Sequence, residues 1–221
     1  MDIEFVYERL RTPLGVKVEI ITGSHARSGR VWRLMAEQIY AENGRDEYRA
    51  IDHLDCGAPL LMGEDTRISL THTGHLLAVA TLAPTPEADL SRFSAEAALG
   101  IDAESLDRDP VLRVRERFLS ADELALVAAD SLEANIIAWT IKEAVYKAML
   151  TPGLDYRHAI RILRLPRVDS DPAKSHPADD AYGKAVVTIG EEEIEYLLYT
   201  FSYEGSAVTL AVTPRSRRWG K

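Results

Sequence analysis

The chain has 221 residues, with 26 Lys+Arg against 35 Asp+Glu for a formal net charge of -9, and it is 46% hydrophobic and 28% charged. These are globular proportions, and the length suffices for one large domain or two small ones, each with a buried core. The acidic balance excludes a general nucleic-acid binder, which needs a basic face to release phosphate counterions, but it allows a local basic pocket for a phosphorylated ligand.

In chain order, residues 3–7 and 16–22 are rich in β-branched and aromatic residues and are predicted as strands. Residues 28–41 are predicted as a helix, because Val31, Leu34, Met35 and Ile39 recur at helical spacing and Gly44 follows. Gly57-Ala58-Pro59 reads as a turn. Residues 67–70 and 76–82 read as strands, joined through Thr71-His72-Thr73-Gly74-His75 into a hairpin. Residues 84–98 carry two prolines, three acids and few large apolar groups, the pattern of a surface excursion.

The second half opens with a short strand, Leu99 to Glu104. Ser120-Ala121-Asp122-Glu123 is a capping box, and it is expected to start a helix ending near Ala129. A longer helix is predicted over 133–150, stopped by Thr151-Pro152-Gly153. Strands are predicted over 159–165, 185–189, 194–203 and 207–213, with a polar loop at 168–181 and a basic, loosely held tail at 214–221. The 69–80 and 200–211 segments repeat a pattern of strand, glycine turn and strand, which suggests two halves of similar design. The single Cys56 cannot form an internal disulfide, which favours a reducing compartment. Met1-Asp2-Ile3-Glu4 lacks the pattern of a signal peptide. No apolar run reaches the roughly 18 residues of a membrane span. A soluble, cytoplasmic protein is expected.

Three groups of residues suggest chemistry. Asp102 and Glu104 lie at i and i+2 on a strand, so both carboxylates share one face. Like charges that close repel unless a cation joins them, and hard oxygen ligands suit Mg²⁺. An isolated pair of this kind is more often two solvated acids. Trp139, Glu143 and Lys147 lie at i, i+4 and i+8 on one helix face. They could supply a third carboxylate and a cation for a phosphate, or simply form a stabilising pair beside a core Trp. Lys142 belongs to a neighbouring face. In the first hairpin turn, Thr71 and His72 could donate to a phosphate or make only local hydrogen bonds; His75 shares the ambiguity.

Together the motifs resemble a known family. Gly100-Ile101-Asp102-Ala103-Glu104 is similar to its G-(I/V)-D-(I/V/A)-E signature, and Trp139-Thr140-Ile141-Lys142-Glu143-Ala144-Val145-Tyr146-Lys147 to its W-x-x-K-E-A-x-x-K signature. Phe118 to Glu123 resembles the R-F-F-S-x-x-E segment between them, and Ile68 to Thr73 the upstream F-S-(L/I)-S-H-S segment. The family is the 4′-phosphopantetheinyl transferases of the longer Sfp type. The resemblance implies an α+β fold of two similar subdomains, 1–98 and 99–221, related by a pseudo-twofold axis with the active site in the cleft between them, in a monomer.

It further implies Mg²⁺-dependent transfer of the phosphopantetheine arm of coenzyme A to a serine of an apo acyl or peptidyl carrier protein, the activity of a holo-acyl-carrier-protein synthase, with 3′,5′-ADP as the other product. Asp102, Glu104 and Glu143 would hold the metal. Glu143 and Lys147 would act in catalysis, and Thr71, His72, Lys142 and Lys147 would contact coenzyme A. The chain departs from the pattern at Ala58, where the family often has Lys in a G-K-P segment. That departure motivates an alternative: an inactive relative that only binds coenzyme A or a carrier. Arg27, Arg30 and Arg33 are candidates for the 3′-phosphate. An unrelated Mg²⁺-dependent phosphohydrolase would need only the carboxylates. Because coenzyme A and carriers are anionic, Lys142, Lys147, His72, Arg113, Arg115 and Arg117 are expected to gather around one cleft.

Overall fold

A computed structural model describes residues 6–23, 51–53, 58–61, 67–82, 98–172 and 179–213. The predicted helix 28–41 with Arg27, Arg30 and Arg33, nearly all of the 84–98 excursion and the 214–221 tail lie outside the described residues.

The first sheet joins β1 (Val6–Arg11), β2 (Lys17–Thr22), β5 (Arg67–His72) and β6 (Leu76–Leu82) in the antiparallel order β1-β2-β6-β5. Alternation along these strands sends Leu10, Val16, Val18, Ile20, Leu76, Ala78 and Ala80 to one buried face. β3 (Ile51–His53) and β4 (Pro59–Leu61) form a separate small ladder that the sequence patterns did not announce.

The second sheet has the order β7-β12-β11-β10-β8, from β7 (Leu99–Ser105), β8 (Ile160–Arg164), β10 (Gly183–Ile189), β11 (Glu192–Tyr203) and β12 (Ser206–Val212). All of these pairings are antiparallel; the short β9 (Val168–Asp169), inside the predicted loop, adds a parallel pair with β11. The fold is thus a mixed α+β arrangement with two mainly antiparallel sheets. Both repeated segments are hairpins. The second turns through Glu204 and Gly205, with φ of 42° and 74°, the left-handed pair that matches the twist of a two-residue hairpin. The two turns meet where a ring nitrogen of His75 lies 3.0 Å from the Glu204 carbonyl oxygen.

β7 serves both layers. Its odd residues Leu99, Ile101 and Ala103 join Tyr199, Phe201, Val208, Leu210 and Val212 in the core shared with the first sheet. Its even residues face the helices: α1 (Pro110–Phe118), α2 (Ala121–Leu126) and α3 (Leu132–Met149). α1, which the sequence reading did not assign, carries Pro at its first turn. α2 begins with the predicted capping box, but it ends at Leu126, earlier than expected. α3 packs on β7 and β12. The approach is close enough that a Cβ on Gly100 would stand 1.9 Å from the Ala144 carbonyl oxygen and 2.8 Å from the Ala148 nitrogen. Gly100 is therefore what lets the strand bearing Asp102 lie against the helix bearing Glu143. Among the described residues, no helix is long and apolar enough to cross a membrane.

Candidate active site

Asp102 leaves β7 on the α3 side and is buried. Its Oδ1 accepts from Lys147 Nζ at 2.6 Å and from the Thr71 hydroxyl at 3.1 Å. Lys147 also donates to the Ile101 carbonyl oxygen at 3.1 Å. Glu104, two residues along the same face, pairs with Arg108 through Oε2, while its Oε1 accepts from the Ser105 amide at 3.2 Å. Glu143 is partly buried on α3, between Trp139 and Lys147 one turn to either side. From Asn135 onward these three, with Tyr146, are the less covered residues of the helix.

Burial pushes the Glu143 carboxyl above the usual range and the negative charge of Asp102 pushes it further; Lys147, the Tyr156 hydroxyl and Arg108 act in the opposite direction. Burial likewise raises the Asp102 carboxyl, against the pull of Lys147 and Thr71. The Tyr156 hydroxyl is raised by burial and by Glu143 beside it. Tyr156 stacks on Tyr146 at 4.8 Å and on Trp139 at 6.3 Å, and Trp139 meets Phe118 edge-on at 5.1 Å. This aromatic strip walls one side of Glu143.

The structure brings Asp102, Glu143 and Lys147 together and revises several other expectations. Lys142 does not reach the site. Its side chain is 0% exposed, paired with the 2% exposed Glu123 at 2.7 Å, and it donates to the carbonyl oxygens of Tyr156 (2.8 Å) and Ile160. Glu123 in turn accepts from the Ser120 amide at 2.7 Å and the Ile162 amide at 2.6 Å. The pair ties α2, α3 and β8 together, so Lys142 has no proton left for a ligand.

Thr71 and His72 part company, because neighbours on a strand point to opposite faces. Thr71 is buried toward Asp102, whereas His72 is exposed on the far side of its sheet. The Thr71 hydroxyl accepts from the Ala103 amide at 3.0 Å, and Ser69 Oγ accepts from the Ile101 amide at 3.1 Å. β5 and β7 are edge strands of their sheets, and these hydroxyls satisfy the outward amides of β7 where no ladder does. The period-two Ser-x-Thr spacing was the available signal for this role. Thr71→Val is expected to destabilise the fold by about 1–3 kcal/mol, the cost of orphaning a buried amide, with Thr71→Ser retaining most of it in urea unfolding. A valine cost below about 0.5 kcal/mol would show that the edges are held by something else.

The basic residues do not gather around one cleft. Arg115 is locked into the scaffold by Asn135 Oδ1 at 2.9 Å and the Val127 carbonyl oxygen at 2.8 Å. Arg113 is exposed near Asp109, and Arg117 is exposed on the same helix. Nor do the three carboxylates close into a chelate: among the described residues, no three His, Cys, Asp or Glu side chains stand ready to hold a metal. Asp102 is drawn to Lys147 and Glu104 to Arg108. The donor chemistry nonetheless fits Mg²⁺, which usually takes only one or two carboxylates and completes its shell with waters and substrate phosphates. Asp102 is close enough to Glu143 for its charge to act on that carboxyl.

Sequence reasoning missed Arg108 and Tyr156. Arg108 lies beyond the end of β7, where strand periodicity no longer says where a side chain goes. Tyr156 follows the helix stop, and nothing local links it to Glu143.

Residues 98–197 match the family described as the 4′-phosphopantetheinyl transferase superfamily. No curated protein gives a match to the chain.

Proposed function

We propose that the chain, whose residues 98–197 match the 4′-phosphopantetheinyl transferase superfamily, transfers the 4′-phosphopantetheine arm of coenzyme A to a serine of an apo carrier protein, releasing 3′,5′-ADP. The observation that supports this reading is the meeting of Asp102, Glu143 and Lys147, two carboxylates and a cation on facing elements. The finer reading is the Sfp-type, holo-acyl-carrier-protein synthase form: a cytoplasmic monomer of two pseudo-symmetric subdomains, 1–98 and 99–221, with the site between them.

In this mechanism the carrier serine oxygen attacks the phosphorus that bears pantetheine, and the bond from that phosphorus to the bridging oxygen breaks. Glu143, which shares a helix face with Lys147, would take the serine proton. Lys147 would balance the negative charge that develops on the departing 3′,5′-ADP. Asp102 and Glu143 would hold Mg²⁺, with Glu104 beside them. The metal, when bound, would neutralise phosphoryl oxygens and favour in-line geometry. Thr71 would act by holding Asp102, and His72, exposed on the other face of its sheet, would contact coenzyme A away from the reacting phosphorus.

The test is a mass-shift assay of apo carriers from fatty acid, polyketide and peptide pathways, incubated with coenzyme A and Mg²⁺. A phosphopantetheine adduct on at least one carrier is expected. Calorimetric binding of coenzyme A without an adduct on any carrier would favour the inactive binding relative that Ala58 motivates. Release of inorganic phosphate from generic phosphoesters would favour a phosphohydrolase.

A further inference from the structure

The carboxylates of the proposed metal site already carry cations supplied by the chain, and the two cations differ in how they are held. Lys147 rises from the last turn of α3, is 29% exposed, and is fixed by both Asp102 and the Ile101 carbonyl oxygen. Arg108 comes from the turn between β7 and α1, and its side chain is 52% exposed against 13% for Glu104. Glu104 is therefore mostly covered, while its partner stands about half in water. Both Glu104 oxygens are occupied, Oε2 by Arg108 and Oε1 by the Ser105 amide. A divalent ion that takes up Oε2 meets the positive charge of the guanidinium, and of the two donors it is the exposed arginine side chain, not the Ser105 backbone amide, that can move aside.

We infer that Arg108 is a resident counter-ion of Glu104 that competes with the divalent metal, so that it sets the metal affinity of the free protein. The inference rests on the reading that these carboxylates hold Mg²⁺. An arginine on a short turn can leave at small structural cost, and an ion pair with one partner half in solvent is worth little. Displacement would also leave a guanidinium free beside the metal, suited to a phosphate oxygen. Lys147 cannot act in this way, because its second bond anchors it to the β7 backbone.

The test is Mn²⁺ binding to the full chain without coenzyme A, followed by the electron paramagnetic resonance signal of the free ion. Arg108→Gln is expected to bind Mn²⁺ about two- to five-fold more tightly, the factor that corresponds to removal of one partly exposed ion pair. Arg113→Gln makes the same change of charge on exposed α1 and is expected to bind as the parent chain does. The gain from Arg108→Gln should disappear in a Glu104→Gln background. Uptake of Mn²⁺ by Arg108→Gln and not by the parent would also support the inference. Unchanged or weaker binding by Arg108→Gln, or an equal gain from Arg113→Gln, overturns it. Asp102→Asn separates the two readings. Loss of binding in Asp102→Asn with equal affinity in the parent and Arg108→Gln removes the Arg108 role alone, whereas undiminished binding in Asp102→Asn removes the metal reading and the inference with it.

Discussion

Lys142→Met is expected to lower the stability of the fold by about 3–5 kcal/mol, because it strands a buried carboxylate. Glu123 would keep the amides of Ser120 and Ile162 but lose its only cationic partner among the described residues. The carbonyl oxygens of Tyr156 and Ile160 would lose a donor at the same time. Burial already lowers the proton affinity of Lys142, with Glu123 opposing that shift, so the charges persist only as a pair. The double variant Lys142→Met/Glu123→Gln is therefore expected to cost less than the sum of the single changes, with a coupling of at least about 1 kcal/mol. Urea unfolding followed by circular dichroism measures all three variants. A cost below about 1 kcal/mol for Lys142→Met, or strict additivity, would show that the pair does not tie the helices to β8. In the folded protein, KM for coenzyme A is expected to stay unchanged in Lys142→Met, since the side chain faces the interior.

Glu143→Gln and Asp102→Asn are expected to lose carrier modification by about 10²–10⁴-fold, the range supplied by a positioned base and the charges around it, while the fold survives. Both replacements are isosteric, and in Asp102→Asn the amide keeps an oxygen for Thr71 and Lys147. Both carboxyls are raised by burial. The native state therefore holds these protons more tightly than the unfolded chain does. Native stability consequently falls as pH rises from the ordinary carboxylate range into the raised one. The neutral variants lack that slope, so their melting temperatures at about pH 8 are expected to match or exceed the parent's. Adduct formation by mass spectrometry and thermal melts at two pH values measure both sides. Full transfer in both variants would remove Asp102 and Glu143 from the chemistry; lost transfer with a collapsed melt would make them structural.

The local pattern of the chain determined much of this protein. β-Branched alternation marked β2, β5, β6 and β10 to β12, and the Ser120–Glu123 box and the Trp139, Glu143, Lys147 stripe stood in the residues themselves. Such features depend on neighbours within a turn or two, where spacing dictates geometry. The Asp102 and Glu143 signatures were legible for the same reason. What the tertiary structure decided is which partner each polar group meets. Lys142, adjacent to Glu143, goes inward to Glu123 and β8. Thr71 caps the open edge of β7, while His72 turns away, and Arg108 reaches back over Glu104. These choices follow from edges, burial and close approach at Gly100. They arise only when segments far apart in sequence pack, because a buried charge or amide takes whatever partner the fold brings within reach.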